Sequence, residues 1–305
     1  MARVRSRKAM PRKAGRAAFL RQLRAFLEED HYREDLTTRS VIPASLRARA
    51  TLSAQAPGVV SGVSVALLLL KDQGLRARAR VKDGARVRRG SPVLEIEGRA
   101  RRILEVERTV LNLMTHLSGV ASATARAVRE ARRVSPSFEV AATRKTLPGL
   151  RDLEKAAVIH GGGRPHRRDL SSAVLLKNNH LALVPLAEAV RRARRAVGAR
   201  GTVETEVRSL RQAREAARAG SDQLLFDNVS PATARRWTRA LETAGLRRGR
   251  LLEVSGGIRP SNIARYAATG VDRASLGALT HSAPALPMHL TVRPGKVRRA
   301  APTKH

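Results

Sequence analysis

Residues 203–227 read VETEVRSLRQAREAARAGSDQLLFD. Two short apolar runs, Val203–Val207 and Gln223–Asp227, lie at the ends of this stretch, and an alanine- and arginine-rich segment of helical composition joins them. Parallel strands that are buried on both faces read as nearly continuous apolar runs, and helices connect them. The stretch therefore predicts a βαβ unit in which Glu206 and Asp227 lie at or near the ends of neighbouring strands.

The same pattern repeats in the second half of the chain, at residues 138–143, 174–177, 251–255 and 271–277. In a barrel of βα units, the loops that follow the strands gather at one mouth, where catalytic groups lie. We therefore predict that the polar residues at the strand ends face one pocket: Arg144, Lys145, Lys177, Glu206, Asp227 and Ser255. Cations and acids in one pocket are expected for an anionic substrate that is handled together with a metal.

The N-terminal part of the chain has a different pattern, typical of an α+β domain. Apolar residues at helical spacing cover 18–29, and strand-like segments follow at 47–55, 75–81 and 92–97. A long helical pattern at 101–133 then leads into the βα repeats, with a predicted break at Ser118-Gly119. We place the domain boundary near Asn112, with Gly98 as the alternative.

These patterns divide the chain into segments. Residues 1–17 and 291–305 are basic and are expected to be disordered tails. Residues 18–111 are expected to form the N-terminal domain and residues 112–278 the barrel. Residues 279–290 are expected to return to the N-terminal domain.

The composition limits the kinds of site that the chain can hold. A hydrophobic content of 42% in 305 residues is enough for a buried core. No apolar run approaches the roughly 20 residues of a membrane-spanning helix, so we expect a cytoplasmic protein without a membrane contact. The chain has no cysteine, which excludes disulfides, thiolate nucleophiles and Cys-ligated metals. Any metal must therefore be held by oxygen or imidazole.

The formal net charge of +35 is the strongest deviation in the composition. Such an excess often indicates nucleic-acid binding. Here the arginines are spread over most of the chain, and aromatic residues, which stack on bases, make up only 2% of it. We therefore favour a solvated arginine-rich surface. A nucleic-acid contact through the two basic tails is the alternative.

Arg108 lies in or beside the apolar stripe of the long helical pattern, because Leu104, Arg108 and Leu111 are spaced at i, i+4 and i+7. A guanidinium does not lose its proton, so its burial demands an anionic partner. One interpretation is an arginine whose stem packs while its head reaches solvent. The other is an arginine that binds a ligand carboxylate.

The densest signal is a group of cations near two glycine-rich turns. The segment TRKTLPG at 143–149 is followed by GGGRPHR at 161–167, which brings Arg144, Lys145, His166 and Arg167 close together in sequence. Glycines let backbone N–H groups approach phosphate oxygens, and arginine binds carboxylates in bidentate fashion. Each piece alone is weak, since a three-glycine turn is often only a flexible loop and a lone histidine is often structural.

Glu204 and Glu206 lie two residues apart on a predicted strand and therefore share one face. By themselves they are typical of a solvated strand face. Together with Asp227 they favour a carboxylate cluster for Mg²⁺, which takes hard oxygen ligands. The turn Ser255-Gly256-Gly257 follows the next strand and either presents N–H groups to a phosphate or is only a structural turn.

These residues, taken in order, resemble the quinolinate phosphoribosyltransferase family, and the match looks most like its archaeal members. The resemblance extends from about residue 35 to residue 288. It rests on these motifs: DLTT at 35–38, ERT at 107–109, LN at 111–112, TRKTLPG at 143–149, GGGRPHR at 161–167, KNNH at 177–180, ETEV at 204–207, FDN at 226–228, SGG at 255–257 and GALTHS at 277–282.

The resemblance implies an α/β fold, with an N-terminal open α/β sandwich packed on an incomplete α/β barrel of about six strands. It implies a homodimer or higher even oligomer with shared active sites, to which the partner subunit contributes Arg108. It also implies that quinolinate and phosphoribosyl pyrophosphate react to nicotinate mononucleotide, pyrophosphate and CO₂, in de novo NAD biosynthesis.

The resemblance also assigns roles to single residues. The quinolinate-binding positions match Arg108, Arg144, His166, Arg167 and Lys177. The positions around phosphoribosyl pyrophosphate match Lys145, Ser255, Gly256, Gly257 and Gly277. Lys145, Glu206 and Asp227 match catalytic positions, and Glu206 and Asp227 also match the positions that hold Mg²⁺. Glu204 and His281 match neighbouring motif positions whose roles are less defined.

The chain departs from the family pattern at Asn178, which stands where an aspartate is usual, so one negative charge beside Lys177 is missing. The alternative activities are those of a pyrophosphorylase-like paralogue associated with molybdate transport and of a nicotinate-type phosphoribosyltransferase. Lys177 and the KNNH segment favour the quinolinate enzyme over the paralogue. A nucleic-acid-binding protein on a barrel scaffold is the alternative from another class.

Overall fold

The structure of the chain, a computed structural model, describes residues 13–295. Residues 1–12 and 296–305 lie outside the described part, and with them most of the two predicted tails and the predicted nucleic-acid contact. The described chain forms two compact units, with boundaries after Gly119 and after Pro284. Within it, no helix combines the length and apolarity that crossing a membrane requires.

The first unit is an α/β unit with two antiparallel sheets. In chain order its elements are α1 (Lys13–Glu28), α2 (Leu36–Val41), β1 (Arg47–Ala54), β2 (Gly58–Val59), α3 (Val63–Asp72), β3 (Arg76–Ala79), β4 (Arg86–Val87), β5 (Pro92–Arg99), the start of α4 (Ala100–Arg132) and, from the far end of the chain, β12 (Met288–Pro294). A 3₁₀ turn covers Tyr32–Glu34. The first sheet has four strands in the order β12-β1-β5-β3, and the small second sheet consists of β2 and β4.

The first sheet follows the predicted alternation. In β1, Ala48, Ala50, Leu52 and Ala54 are buried, and the residues between them are more exposed. This is the period of two that a half-buried strand requires. The apolar run in α3 is likewise buried, as its composition predicts.

Helix α4 is continuous, so the predicted break at Ser118-Gly119 is wrong. Ser118 Oγ accepts from the Ser61 backbone N–H and donates to the Ser61 carbonyl, and this side chain therefore does not compete with the helical hydrogen bonds. The boundary between the units nevertheless falls inside this helix, after Gly119 and beyond the predicted boundary at Asn112.

The second unit contains the six predicted parallel strands. Its elements are the end of α4, β6 (Glu139–Ala141), α5 (Arg151–His160), β7 (Val174–Leu176), α6 (Asn178–Leu181), α7 (Leu186–Val197), β8 (Val203–Val207), α8 (Leu210–Ala219), β9 (Gln223–Asp227), α9 (Pro231–Thr243), β10 (Leu251–Ser255), α10 (Ile263–Ala267), β11 (Arg273–Ser275) and α11 (Ala278–His281).

The sheet of the second unit has the order β6-β11-β10-β9-β8-β7, and all its pairs are parallel. Among the described residues, its edge strands β6 and β7 are not hydrogen-bonded to each other. Instead, Arg164 forms an isolated parallel bridge with Ala141 of β6. The expected incomplete six-stranded barrel is therefore confirmed.

The core of the second unit lies between the sheet and its helices. Val203, Val207 and Phe226 are fully buried in it, and the Phe226 ring meets Trp237 edge to face with 5.2 Å between centroids. Glu204 and Glu206 lie on the opposite face of β8 and are also buried, at 4% and 6% exposure. The interpretation of this face as solvated is therefore wrong.

The C-terminal segment differs from the prediction in two ways. Residues 279–284 belong to the second unit, and only the segment after Pro284 belongs to the first. The predicted tail 291–305 begins too early, because β12 extends to Pro294 and pairs antiparallel with β1. This pairing satisfies backbone groups at the sheet edge, and Leu290 is buried there, so basic composition alone does not prevent a strand. Likewise, α1 already begins at Lys13, inside the predicted tail 1–17.

Candidate active site

The carboxyl ends of the six strands lie along one edge of the parallel sheet. Ser255, at the end of β10, is paired with Asp227 at the end of β9 and with Ser275 at the end of β11. Lys177 directly follows β7, whose neighbour β8 carries Glu206. The structure therefore brings together the strand ends that the sequence predicts.

Glu206 has three donors around its buried carboxylate. The ammonium group of Lys177 lies 3.0 Å from Oε2, and the side-chain amide of Asn178 donates to Oε1 at 2.6 Å. The Asn178 backbone N–H also donates to Oε1, at 3.4 Å. Asn178 therefore acts as a donor to the predicted catalytic acid, a role that an ionised aspartate at this position does not fill.

Asp227 has its own partners on the neighbouring strand. Arg208 Nε donates to Oδ2 at 3.0 Å, and Asn228 Nδ2 donates to Oδ1 at 3.0 Å. Glu206 is paired with Leu225, so Asp227 lies on the same face of the sheet as Glu206. The two carboxylates offer hard oxygen atoms at the same edge, which is the donor chemistry that Mg²⁺ takes.

A cavity of about 710 Å³ lies beside these strand ends, within the second unit. Every residue predicted to bind phosphoribosyl pyrophosphate lines it: Lys145, Ser255, Gly256, Gly257 and Gly277. Arg126, Arg259 and His281 line it as well. Arg126 and Arg259 are not among the residues predicted from sequence, because arginine is common throughout the chain.

Three glycines let the backbone approach the cavity closely. Gly256 and Gly257 have φ values of +95° and +62°, which side-chain-bearing residues rarely adopt. A Cβ at Gly256 would lie 2.2 Å from Oδ1 of Asn228, and a Cβ at Gly277 would lie 2.9 Å from Cδ of Lys145. Glycine at 256 is therefore required by its backbone conformation and by the close contact with Asn228, and phosphate binding at this turn stays a prediction.

Arg144 and Arg167 form a cationic group at the end of β6. Arg144 is half-buried, and its Nε is buried without a hydrogen-bond partner among the described residues. Burial lowers the pKa of Arg167, and the positive charge of Arg144 lowers it further. Two neighbouring guanidinium groups, one of them with an unpartnered buried donor, are typical of a site for an anionic ligand.

His166 extends this group into the barrel, where it meets two buried acids. Its Nε2 lies 3.5 Å from Oε2 of Glu204 and 3.3 Å from Oε1 of Glu253. On the other side of the ring, Nδ1 accepts from the backbone N–H of Arg167 at 2.8 Å. The backbone at His166 is left-handed, with a φ of 54°.

Arg273 completes the buried cluster. Its Nε is paired with Oε2 of Glu253, its Nη2 lies 3.8 Å from Oε1 of Glu204, and Nη2 also donates to Gln223 at 2.8 Å. Oε1 of Glu204 and Oε1 of Glu253 are buried and accept no well-aligned hydrogen bond from the described residues, and Oε1 of Glu253 faces Nε2 of His166 at 3.3 Å. Ligand atoms of His166, Glu204 and Glu253 lie within 4.8 Å of one another, as in a metal site. Arg273 already supplies a positive charge there, and we therefore interpret the cluster as an ion-pair network.

The acid–base balance of the cluster follows from burial and charge. Burial opposes the charged form of His166, but the hydrogen bonds and charges of Glu204 and Glu253 outweigh it and raise its pKa to about 9. The backbone N–H of Arg167 donates to Nδ1, which must be unprotonated to accept it, so this hydrogen bond favours the neutral ring and opposes the rise in pKa. Burial raises the pKa of Glu204, with the charge of Glu253 adding to it. Burial also opposes ionisation of Glu253, yet His166 and Arg273 hold its pKa at about 2.

Glu253 and Arg273 are not among the residues predicted from sequence. The available signal was an acid in the middle of the apolar run LLEVS at Leu251–Ser255, since a charge inside a strand that is buried on both faces needs a partner.

Arg108 lies on α4 in the first unit and is exposed. The buried stripe of the helix runs instead through Ile103, Val106 and Val110, so the predicted position in or beside the apolar stripe does not bury its side chain. The described residues show no ion pair with Arg108. Its predicted contact with a ligand in a partner subunit stays a prediction.

Sequence models of two domains match almost the whole described chain. The quinolinate phosphoribosyl transferase N-terminal domain matches residues 35–118, and the C-terminal domain of the same name matches residues 120–291. The junction between the two matches coincides with the boundary after Gly119.

Known proteins agree with these matches. A probable nicotinate-nucleotide pyrophosphorylase (carboxylating) of Methanothermobacter thermautotrophicus is 42% identical over 272 residues, which cover 89% of this chain and 98% of that protein. The nicotinate-nucleotide pyrophosphorylase (carboxylating) of Mycobacterium leprae is 41% identical over 268 residues, covering 85% and 91%. The crystal structure of NadC from Streptococcus pyogenes superposes with a TM-score of 0.84 at 35% identity, covering 92% of this chain and 98% of that one.

Proposed function

The chain belongs to the quinolinate phosphoribosyltransferase family of pentosyl-transferring enzymes, and from this premise we propose how its residues carry out the reaction. Quinolinate and phosphoribosyl pyrophosphate are converted to nicotinate mononucleotide, pyrophosphate and CO₂, a step of de novo NAD biosynthesis. The observation that carries the proposal is the cationic group at the end of β6, where Arg144 has a buried, unpartnered Nε. A pyridine dicarboxylate supplies the missing acceptors.

The pyridine ring binds between the cations that follow β6 and β7. Arg144 and Arg167 hold the two carboxylates, His166 adds a positive charge beside them, and Lys177 closes the site from the β7 end. Guanidinium groups suit this task because their planar donors bind a carboxylate in bidentate fashion. The Glu204–Glu253 pair supports the charge of His166 from inside the barrel.

The phosphates of phosphoribosyl pyrophosphate bind in the 710 Å³ cavity. The loop at Ser255, Gly256 and Gly257 offers backbone N–H groups in the positive-φ conformation that makes an anion-binding concavity. Lys145 reaches the cavity from the end of β6. The Thr280 hydroxyl donates to the Lys145 carbonyl at 2.6 Å and thereby fixes the backbone of Lys145. Arg126 and Arg259 add positive charge.

Glu206 and Asp227 are the oxygen donors that would hold Mg²⁺. The donor chemistry fits, because both carboxylates lie on one sheet face and Asp227 is paired with Ser255, which lines the cavity. When bound, Mg²⁺ neutralises charge on the pyrophosphate leaving group. Lys177 and Arg208 pair with these acids in the structure and keep the carboxylates neutralised.

Catalysis then rests mainly on positioning and charge. Lys145 and the backbone donors of the cavity stabilise the departing pyrophosphate, which leaves an oxocarbenium-like C1 on the ribose. The arginines hold the pyridine nitrogen in line with C1, and a new C–N bond forms there. The ring nitrogen is now cationic, so the bond to the adjacent 2-carboxylate breaks, CO₂ leaves, and the ring carbon takes up a proton.

The oligomer and the location are further parts of the proposal. A homodimer with shared sites gives the exposed Arg108 of one subunit an anionic partner in the other, namely a quinolinate carboxylate. The family is metabolic, and a cytoplasmic location is part of the proposal.

One assay tests the reaction. Purified protein is incubated with quinolinate, phosphoribosyl pyrophosphate and Mg²⁺, and CO₂ and nicotinate mononucleotide are measured, with nicotinate as the competing substrate. We expect turnover of quinolinate only. Turnover of nicotinate without turnover of quinolinate would overturn the proposal.

Two variants test the carboxylate site. Arg144→Ala and Arg167→Ala should weaken kcat/KM for quinolinate by about 2–5 kcal/mol, the cost of removing one partner of a desolvated charge pair. Arg168→Ala is the matched control, because Arg168 is exposed and forms a surface pair with Asp152 at 2.6 Å. Such pairs contribute about 0–1 kcal/mol. Equal effects at all three arginines would contradict the assignment.

A further inference from the structure

The two loops that carry the quinolinate-binding cations are joined by a short backbone ladder. The Arg164 N–H donates to the Val140 carbonyl at 2.7 Å, and the Ala142 N–H donates to the Arg164 carbonyl at 2.9 Å. The ladder stops there, because His166 has a left-handed backbone and leaves the extended conformation. Arg144 and His166 therefore lie just beyond the last backbone hydrogen bond between the loops.

Lys155 bridges the two loops where the ladder stops. It lies on α5, behind the site, and is only 5% exposed. Its ammonium group donates to the Thr143 carbonyl at 3.3 Å and also to the Pro165 carbonyl. Thr143 precedes Arg144 and Pro165 precedes His166, so one side chain holds the residues next to both groups of cations.

No backbone N–H among residues 13–295 donates to either carbonyl, so Lys155 provides the hydrogen bonds that the interrupted ladder lacks. An ion pair does not explain the buried position of Lys155, because positive charges lie near its ammonium group. Burial, together with the positive charges of Arg151 and Arg144, lowers the pKa of Lys155 to about 8. A neutral amine still has two N–H donors for two carbonyls, and the bridge therefore does not depend on the charge.

We propose that Lys155 is a positioning residue that fixes the distance between Arg144 and the His166–Arg167 pair, and thereby sets the site to the two carboxylates of the substrate. The proposal rests on the proposed roles of these three residues in binding quinolinate. It predicts an effect on quinolinate that is larger than any effect on phosphoribosyl pyrophosphate, because Lys145 is the one cavity residue on these two loops and Thr280 holds its backbone carbonyl independently of Lys155.

The chain has no cysteine, so a cysteine introduced at position 155 can be alkylated selectively to restore or omit the amine of Lys155. Lys155→Cys creates the sole thiol, which is alkylated in the unfolded protein before refolding. Bromoethylamine regenerates a lysine-like amine, and bromopropane gives a side chain of the same length that ends in methyl. Wild-type protein that is unfolded, treated with the same reagents and refolded is the control. Lys155→Met is the second variant, and it is purified in its folded form without an unfolding step.

We expect the aminoethylated protein to keep its quinolinate KM within about threefold of wild type. The propylated protein and Lys155→Met should show a quinolinate KM raised by about 10- to 100-fold, since small displacements of binding groups have effects of this size. The KM for phosphoribosyl pyrophosphate should change less than about threefold. Unchanged quinolinate KM in the propylated protein or in folded Lys155→Met would overturn the proposal.

Hydrogen exchange separates this proposal from the proposed function. Amides in 142–150 and 161–170 should exchange faster in the propylated protein and in Lys155→Met than in wild type, and aminoethylation should restore slow exchange. This readout needs no substrate. If wild type fails to use quinolinate, the proposed function fails, while the bridge is still judged by exchange. Equal exchange in all proteins would refute the bridge.

Discussion

Asn178 and Glu206 are joined by a hydrogen bond in which the side-chain amide Nδ2 donates to Oε1 at 2.6 Å. Lys177 binds the other oxygen of the same carboxylate. The residue that departs from the family pattern is therefore integrated into the site. It replaces a negative charge beside the predicted catalytic acid with a donor.

Replacing Asn178 with Asp should make the stability of the protein depend more on Mg²⁺. The new carboxylate removes the donor to a buried acceptor, at a cost of about 1–3 kcal/mol, and repels Glu206. In EDTA, the free energy of unfolding should fall by about this amount. Mg²⁺ should restore more stability than it adds to wild type, because an additional carboxylate strengthens a hard-cation site.

The matched control is Asn179→Asp, which adds the same charge one residue later at an exposed position. Chemical unfolding with and without Mg²⁺ measures both variants. If Asn178→Asp and wild type respond equally to Mg²⁺, Glu206 does not belong to a cation site.

The buried His166 cluster should make stability depend on pH. The cluster raises the folded-state pKa of His166 from 6.5 to about 9. A pKa that is higher in the folded state means that the stabilisation is complete below pH 6.5 and is lost as the pH rises through about 9. The difference in unfolding free energy between wild type and His166→Gln should therefore shrink by roughly 3 kcal/mol across this window.

Urea unfolding at several pH values measures this difference, and His289→Gln serves as the control because His289 is exposed. The difference from the variant is used, rather than the stability of wild type alone, because Lys155 changes the stability with pH in the opposite direction. Its folded-state pKa is lowered from 10.5 to about 8, so its contribution to stability rises with pH. A constant difference between wild type and His166→Gln would show that the ring is neutral throughout.

The barrel could be predicted from sequence because its strands are buried on both faces. Gln223–Asp227 therefore shows up as a short apolar block, Val203–Val207 as two valines around buried glutamates, and the rule that parallel strands share a carboxyl edge then places Glu206 beside Asp227. The glycines at 256 and 257 could be assigned to the cavity for a similar local reason, since positive φ favours glycine.

What the sequence did not predict depends on partners that are distant along the chain. Arg273 is defined by its pairing with Glu253, and Lys155 by two carbonyls on separate loops. Ser118 looks like a helix breaker until Ser61 is seen to satisfy its hydroxyl. The strand β12 depends on β1, which lies more than half the chain away. Local pattern contains none of this information.

The two glycines of the phosphate turn should respond differently to the same substitution. Both have positive φ, so alanine at either position carries the backbone strain of about 1–2 kcal/mol. A Cβ at Gly256 would also collide with Asn228, whereas a Cβ at Gly257 meets nothing within 4 Å. Gly256→Ala should therefore lower the free energy of unfolding more than Gly257→Ala and raise the KM for phosphoribosyl pyrophosphate more. The opposite order would mean that the turn adopts another conformation in solution.

Mixing two inactive variants tests whether Arg108 acts in a partner's site. If it does, a dimer of one Arg108→Ala chain and one Lys145→Ala chain has both defects in one pocket and an intact second pocket. Random pairing makes half of the dimers mixed, and the recovered activity should reach about a quarter of wild type. If Arg108 acts within its own subunit, every pocket of the mixed dimer carries one defect.

We expect recovery, because Arg108 is exposed and has no ion pair among the described residues, so a doubly anionic substrate from a neighbouring subunit is a suitable partner. Absence of recovery, with subunit exchange demonstrated by differently tagged chains, would refute the shared site.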